Sequence, residues 1–310
     1  MNSAFELLAP KMIKYYSFVK PRVQKDRKMI DVQPINTEFG AEISGVDLSQ
    51  SPSADTIKVI QDAFGRYGVV VLRNQDLTPA QLSDFSKNFG PLHVHHLAEN
   101  TIPDYPEVRV LSNVKKKGRY IGQYRGGHYW HTDLIFCEKI GHATILHGVQ
   151  CPPEGADTLI CDMRGAFEAM PKKLQDKIDG QVAHHDHAYR YNILYPERPP
   201  LTPEQAAKVP PVDHPMVCFH PQSERKSILL TVPTIRTLGD LSEDDTAALM
   251  NEVEAFCTQP RFIYAHKWRD GDVIMWDNLC TMHSATPFDE KYDRIINRTQ
   301  TVYEDRPTTA

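Results

Sequence analysis

Hydrophobic and β-branched residues are grouped along the chain in short runs bounded by turn-forming residues. Such runs are typical of strands, and they predict seven of them, at 68–72, 108–111, 143–149, 158–161, 228–232, 272–276 and 295–302. Three capped segments predict helices, from Ser53 or Asp55 to Phe64, from Thr78 to Phe89, and from Ser242 to Cys257. Many strands with a few helices predict a mainly β sandwich or barrel flanked by helices.

The chain shows no Gly/Ser linker, repeat or low-complexity run after residue 29, so we predict one domain over 29–310. Two proline-rich polar stretches, 101–106 and 195–211, are expected to form surface loops. The first 28 residues carry a basic excess, with Lys11, Lys14, Lys20, Arg22, Lys25, Arg27 and Lys28 against Glu6 and Asp26. We expect a flexible extension there, and an organelle-targeting segment is the alternative.

Composition narrows the class of protein. The 310 residues are 41% hydrophobic and 24% charged with a net charge of −5, which is ordinary for a globular protein and argues against a nucleic-acid partner. No run approaches the roughly 20 apolar residues that span a bilayer. Six scattered cysteines, without a CxxC pair, are typical of reduced thiols and predict a cytoplasmic protein.

A histidine and a carboxylate two residues apart suggest a metal site. The segment 128–133 is expected to be extended, and His131 and Asp133 would then project from the same face. His283 follows a predicted strand and a short turn and offers a third ligand. Two histidines and one carboxylate leave positions open for oxygen activation at iron(II). Spacing alone does not separate this pair from His184-x-Asp186, or from hydrogen-bonded groups that bind no metal.

Two arginines in the last predicted strand suggest an anion site. Arg294 and Arg298 are four residues apart, so a strand would aim both at the same face. A guanidinium group suits a carboxylate because it can donate two parallel hydrogen bonds. The plain alternative is a pair of solvated strand arginines.

Four ordered motifs resemble one family. They are FGAEISGVDL at 39–48, WHTD at 130–133, GADT at 155–158, and WDN at 276–278 followed by His283. Over about residues 35–306 the chain resembles the taurine dioxygenase (TauD/TfdA) family of iron(II)- and 2-oxoglutarate-dependent oxygenases. The resemblance implies a double-stranded β-helix, or jelly-roll, core.

The resemblance also implies roles for site residues. It places the metal ligands at His131, Asp133 and His283, and so excludes His184-x-Asp186. It places the distal carboxylate of 2-oxoglutarate at Arg294, assisted by the Thr158 hydroxyl. Iron(II), 2-oxoglutarate and dioxygen are therefore the implied cofactor and co-substrates. The implied reaction hydroxylates a substrate and releases succinate and carbon dioxide, and the presence of Asp133 argues against halogenation.

The primary substrate is expected to be a small organic anion, a carboxylate or a sulfonate. The resemblance places its charged group at Arg298, with His95 at the position of the family's substrate-binding histidine. Ala98 and Gly127 stand where the taurine enzymes have a tyrosine and an asparagine, so taurine itself is disfavoured. The run 276–283 resembles that of the aryloxyalkanoate oxygenases. Desaturation or isonitrile formation is the alternative outcome within the family.

Two other classes of protein use a similar set of ligands. A zinc hydrolase also employs histidines, a carboxylate and water, but the sequence offers no motif for a general base or an oxyanion stabiliser. A non-catalytic metal-binding protein would retain the ligands alone. The family resemblance favours the oxygenase and implies a homodimer or homotetramer. Composition predicts no nucleic-acid or membrane partner.

Overall fold

The computed structural model describes residues 29–36, 38–95, 100–124, 126–195 and 199–309. The α-helices are α1 (Ala54–Tyr67), α2 (Pro79–Ser86), α3 (Met163–Ala169), α4 (Lys172–Ile178), α5 (His187–Leu194), α6 (Pro203–Ala206) and α7 (Glu243–Cys257). The strands are β1 (Asp31–Pro34), β2 (Ala41–Ser44), β3 (Val69–Leu72), β4 (Thr101–Ile102), β5 (Tyr105–Ser112), β6 (Lys115–Lys116), β7 (Arg119–Tyr120), β8 (Gly141–Gln150), β9 (Thr158–Asp162), β10 (Val182–His185), β11 (Val212–Pro215), β12 (Val217–His220), β13 (Arg225–Ile228), β14 (Ile235–Leu238), β15 (Ile263–His266), β16 (Val273–Asp277), β17 (Thr281–Ala285) and β18 (Ile295–Val302). The extension predicted at 1–28 lies outside the described residues.

Two sheets position the residues of the candidate site. The larger has eight strands in the order β1-β2-β3-β16-β8-β18-β5-β4, and the smaller has the order β15-β9-β17. Only β2 and β3 pair in parallel within the eight-stranded sheet. Side chains of both sheets meet in one buried cluster that includes Leu146, Trp276 and Ile296 from the larger sheet and Ile160 from the smaller. This mainly β architecture with a jelly-roll core confirms the predicted fold class.

Strand alternation decides which side chains enter that inter-sheet cluster. In β3, Val69 and Val71 point into it, whereas Val70 and Leu72 pack on the opposite face with residues of α1 and α2. Successive side chains of a strand point to opposite faces, so β3 is buried on both sides. The helices therefore cover the outer face of the larger sheet and leave its inner face for the site.

The first helix begins where the sequence predicts. The Ser53 side chain accepts a hydrogen bond from the Thr56 N–H at 3.2 Å, and the helix continues past Phe64 to Tyr67. It ends at Gly68, whose φ of 72° is left-handed and whose N–H donates to the Phe64 carbonyl at 2.8 Å. A Cβ on Gly68 would lie 2.9 Å from Cys280 Sγ, so only glycine fits there.

Two predictions about strands and loops are wrong. The run 228–232 is not a strand, because β13 ends at Ile228 and a 3-10 turn occupies Val232–Thr234. Pro233 lacks the N–H that a ladder needs. The stretch 101–106 forms β4 and the start of β5 instead of a loop, with Ile102 paired to Tyr105.

The other predicted helices and strands agree with the structure within a few residues, whereas α3, α4, α5, α6 and several short strands lie outside the predictions. The strand at 295–302 is confirmed at both ends, and Ser242 caps α7 as expected. The helix expected at Thr78–Phe89 is α-helical only to Ser86 and continues as a 3-10 turn. Among the described residues, no helix is both long and apolar enough to cross a membrane.

Candidate metal centre and co-substrate cavity

His131 is held by an isolated β-bridge to His283 and does not lie in a regular strand. Its N–H donates to the His283 carbonyl at 3.0 Å, and the His283 N–H donates back to the His131 carbonyl at 2.8 Å. The extended segment expected at 128–133 does not continue, because the chain turns at Asp133 and Leu134 has a positive φ of 57°. The two ligands therefore do not share a regular strand face, although they do converge.

His283 lies on β17 in the smaller sheet. The strand pairs with β9, which places His283 opposite Ile160. The indole ring of Trp276 packs against the imidazole with a centroid distance of 4.5 Å. The third ligand is therefore fixed by a strand and a buried aromatic side chain.

The three side chains converge tightly enough to hold one ion. His131 Nε2 lies 3.7 Å from Asp133 Oδ1, and His283 Nε2 lies 3.5 Å from Asp133 Oδ2. The three ligand atoms all fall within 4.8 Å of one another. Two imidazole nitrogens and one carboxylate oxygen are a donor set that suits iron(II).

The protonation states also fit a metal. Burial lowers the pKa of His283 to about 3 and also lowers the pKa of His131, so both imidazoles are neutral. Burial opposes a charge on Asp133, but His283, Arg298 and His131 together hold the pKa of its carboxyl below the ordinary value. Metal binding requires neutral histidine and ionised carboxylate, which is the state found here.

One tautomer of His131 is favoured by its backbone contact. Its Nδ1 lies 2.8 Å from the Tyr129 carbonyl, which can only accept a hydrogen bond. Nδ1 therefore carries the proton, and Nε2 keeps its lone pair for a metal.

A cavity of about 360 Å³ opens beside the two histidines. Its walls include His131, His283, Trp276, Leu146, Thr158 and Arg294. These residues from six separate elements or loops thus share one space. The volume and mixed apolar and polar lining are typical of small-molecule sites.

Arg294 lines this cavity and offers it a positive charge. Its Nε is buried without a hydrogen-bond partner, and no carboxylate among the described residues pairs with it. Burial lowers the pKa of its guanidinium to about 10, so the group is still charged at neutral pH. A half-buried cation of this kind fits the distal carboxylate of 2-oxoglutarate.

Trp268 orients the hydroxyl of Thr158, and sequence reasoning did not identify it. The indole Nε1 donates to Thr158 Oγ1 at 3.0 Å, and both residues are buried. A hydroxyl that accepts from an indole keeps its own hydrogen for another acceptor. Thr158 can therefore donate to a carboxylate in the cavity, which agrees with the predicted role.

Arg298 lies at the metal end of the site. Its Nη1 is 3.7 Å from Asp133 Oδ1, and its Nε is buried without a partner. Ile296 of the same strand points into the inter-sheet cluster, so residue 298, two positions on, shares the inner face. Arg294 precedes the first residue of β18 and lines the cavity, so strand alternation places only Arg298.

The other residues expected at the substrate site lie on loops. The His95 ring makes an edge-to-face contact with His93 at a centroid distance of 6.2 Å. Gly127 has a positive φ of 73°, and a Cβ there would lie 3.3 Å from His131 Cε1. Ala98 lies outside the described residues. A side chain at Gly127 would press on a metal ligand, so the glycine leaves that space open.

The competing histidine pair is engaged elsewhere. His184 Nδ1 lies 2.7 Å from Asp213 Oδ1, and Asp186 caps α5 by accepting from the Tyr189 N–H at 3.0 Å. Neither belongs to a group of converging ligands among the described residues.

A second cluster, His220, Asp277 and Cys280, also converges, but its donors are already used. His220 Nε2 lies 3.0 Å from Asp277 Oδ2, and its Nδ1 accepts from the Ser223 N–H at 3.1 Å. Both ring nitrogens are thus engaged within the protein. We interpret this buried cluster as structural.

A site of two histidines and one carboxylate beside a buried arginine defines a non-haem iron oxygenase that uses a 2-oxo acid. The family model for the taurine catabolism dioxygenase TauD, TfdA family matches residues 31–300. The chain belongs to this family, and it is an Fe(II)- and 2-oxoglutarate-dependent dioxygenase that uses O2.

Curated relatives cover most of the chain. An alpha-ketoglutarate-dependent 2,4-dichlorophenoxyacetate dioxygenase of Cupriavidus pinatubonensis is 30% identical over 280 residues, covering 87% of this chain and 96% of the relative. An alpha-ketoglutarate-dependent sulfate ester dioxygenase of Pseudomonas putida is 30% identical over 275 residues, covering 87% and 88%. Such relatives act on small organic anions.

Solved structures share the fold. A taurine dioxygenase from Burkholderia xenovorans has a TM-score of 0.75 at 29% identity, covering 90% of this chain and 91% of that one. AAD-2 in complex with Mn(II) and N-oxalylglycine has a TM-score of 0.76 at 26% identity, covering 91% and 100%.

Proposed function

We propose that this dioxygenase hydroxylates a small organic anion at the carbon next to its charged or ether-bearing group, with an aryloxyalkanoate as the substrate class. His131, Asp133 and His283 hold the iron, and Arg294 with Thr158 hold the distal carboxylate of 2-oxoglutarate. When bound, iron and 2-oxoglutarate supply the oxidation by dioxygen and release succinate and carbon dioxide. The protein's own residues then decide which carbon is presented.

The observation that carries the proposal is the position of Arg298. Its guanidinium lies 3.7 Å from a ligand oxygen of Asp133 and has a buried, unpartnered Nε. Once Asp133 binds a cation, its charge is shared with the metal and Arg298 is left to attract another anion. A substrate anchored there would present the carbon beside its charged group to the metal.

His95 is the second residue proposed to contact the anion. Leu92 bridges Thr301 in antiparallel fashion, and the His93 N–H donates to the Gln300 carbonyl at 2.8 Å. His95 follows this contact by two residues, but its backbone does not continue the ladder, because Arg109 and Leu146 already pair with Arg298 on its two sides. The role of His95 as a second contact to the carboxylate therefore rests on the family resemblance.

The shape of the cavity supports an aryl group on the anion. Leu111, Leu146, Trp276 and Phe288 supply apolar walls, and Gly127 leaves open the space beside His131. A phenoxyacetate has an aryl group that can pack against such walls, and taurine has none. Hydroxylation beside the ether oxygen yields an unstable hemiacetal, which breaks into a phenol and an oxo acid.

Succinate release across a matched panel tests this function. We expect Fe(II)- and 2-oxoglutarate-dependent succinate formation to be stimulated by aryloxyacetates, with equal amounts of phenol formed. Stimulation by alkyl sulfates alone would reassign the anion to a sulfate ester, and a desaturated or isonitrile product would reassign the outcome. Arg298→Met should raise KM for the anion and leave the affinity for 2-oxoglutarate unchanged. An unchanged KM for every anion would overturn the role of Arg298.

Assembly and location remain predictions. We propose a homodimer or homotetramer in the cytoplasm, as the family resemblance implies, and all six cysteines are free thiols in agreement with a reducing compartment. Light scattering after size-exclusion chromatography tests the assembly, and a monomer at micromolar concentration would contradict it.

A further inference from the structure

A closed ring of hydrogen bonds lies directly behind Asp133. Thr144 Oγ1 donates to Asp133 Oδ2 at 2.7 Å, and Asn278 Nδ2 donates to Thr144 Oγ1 at 2.9 Å. The Asp133 N–H completes the ring by donating to Asn278 Oδ1 at 3.0 Å. Thr144 and Asn278 have no exposed surface, so water does not compete for these bonds.

Each bond in the ring has one possible direction. An ionised carboxylate can only accept, so the Thr144 hydroxyl must donate to Asp133 and must accept from Asn278. The Asn278 amide is oriented from both ends, because Nδ2 also donates to the His142 carbonyl at 3.0 Å. The ring therefore holds the carboxylate in one orientation.

The ring is anchored in the centre of the larger sheet. Thr144 lies in β8, opposite Trp276 on one side and Gln300 on the other. Asn278 directly follows β16, a neighbour of β8. Asp133 itself lies at a turn outside any ladder, so its side chain depends on these contacts for its position.

The two carboxylate oxygens are thereby given different surroundings. Oδ2 receives the Thr144 hydroxyl and lies 3.5 Å from His283 Nε2. Oδ1 lies 3.7 Å both from His131 Nε2 and from Arg298 Nη1, and no hydroxyl or amide of the ring contacts it. Of the two, Oδ1 is the oxygen less engaged by protein donors.

We propose that Thr144, oriented by Asn278, is a positioning residue that holds Asp133 as a metal ligand through one oxygen. The inference rests on the proposed metal site. Partners that orient a ligand in this way typically change metal affinity by about 10- to 100-fold when they are removed. Without the Thr144 hydroxyl, Asp133 loses one hydrogen bond, and its carboxylate can rotate about the side-chain bonds.

Thr144→Val tests the proposal, because valine has nearly the same shape and lacks the hydroxyl. Mn(II) affinity is measured by titration of the metal-free protein, which requires no turnover. We expect Mn(II) binding to weaken by about 10- to 100-fold in Thr144→Val and to be restored in Thr144→Ser, which keeps the donor. If Thr144→Val does not fold, Thr144→Ala gives the same loss of the hydroxyl without a branched side chain.

Thr299→Val is the matched control. Thr299 is also fully buried in a central strand, and its hydroxyl bonds the Ser86 hydroxyl of α2 at 2.6 Å, on the face of the sheet opposite to Arg298. This variant should lose stability to a similar degree and keep the wild-type affinity for Mn(II). Wild-type affinity in Thr144→Val, or equal weakening in both valine variants, would overturn the proposal. Absence of Mn(II) binding by the wild type would instead remove the metal site on which both proposals rest.

Discussion

Replacement of Arg294 by methionine should change stability and co-substrate binding in opposite directions. The guanidinium is enclosed in the cavity, its Nε has no partner, and burial lowers its pKa to about 10 from an ordinary 12.5. The charged form is therefore less favourable in the folded protein than in the unfolded chain. Methionine keeps much of the apolar stem of arginine and removes the charge.

The stability effect follows from that pKa. At about 1.4 kcal/mol per pH unit, the difference from 12.5 corresponds to about 3 kcal/mol of unfavourable free energy for the charged group. Loss of packing by the guanidinium offsets part of this. We therefore expect the metal-free Arg294→Met protein to unfold with a free energy about 1 to 3 kcal/mol higher than the wild type.

The binding effect has the opposite sign. Charge-assisted hydrogen bonds to a carboxylate contribute about 1.5 to 3 kcal/mol, so their loss should weaken 2-oxoglutarate binding roughly 10- to 150-fold. Thr158 can still donate its hydroxyl, which prevents complete loss. Because burial has removed part of the water around Arg294 before binding, less desolvation opposes the incoming carboxylate.

Urea unfolding and calorimetric titration of 2-oxoglutarate into the Mn(II)-loaded protein measure the two effects. Arg73→Met serves as the control, because Arg73 forms ion pairs with Glu42 and Asp272 that raise its pKa although burial opposes this. This control should lose stability and bind 2-oxoglutarate normally. An Arg294→Met protein that is destabilised and binds 2-oxoglutarate normally would refute the reasoning.

Three further changes test the metal, the co-substrate and the acid dependence. Mn(II) at 100 times its Kd should stabilise the wild type by about 2.7 kcal/mol, seen as a higher Tm, and Asp133→Ala should abolish the shift. Trp268→Phe should raise KM for 2-oxoglutarate roughly 2- to 12-fold, because Thr158 loses its orienting donor; an unchanged KM would contradict this role. Burial opposes a charge on Asp277, but His220 lowers its pKa to about 2, so stability should fall as pH drops from about 4 to 2. In urea unfolding, Asp277→Asn should reduce this loss of stability at low pH. An unchanged dependence of stability on pH would exclude Asp277 as its source.

Local patterns in the sequence determined much of the secondary structure. The limits of β18 and the caps at Ser53 and Ser242 follow from alternation and from side chains that bond nearby N–H groups. The inner-face position of Arg298 follows from the same period, whereas Arg294 lies before the strand. The run 228–232 was misassigned because its hydrophobicity does not reveal that the strand ends at Ile228 and that a 3-10 turn begins at Val232.

The sequence also determined which residues are able to bind a metal and a co-substrate, through ordered motifs of the family. Only the tertiary structure determines how these residues come together. Asp133 and Asn278 are 145 residues apart, and Thr158 and Trp268 are 110 apart. Sheet order alone brings such pairs together, so Thr144 and Trp268 carry no local signal that could reveal them. Alternation and capping act over a few residues, whereas the contacts that orient a ligand form only when distant strands pair.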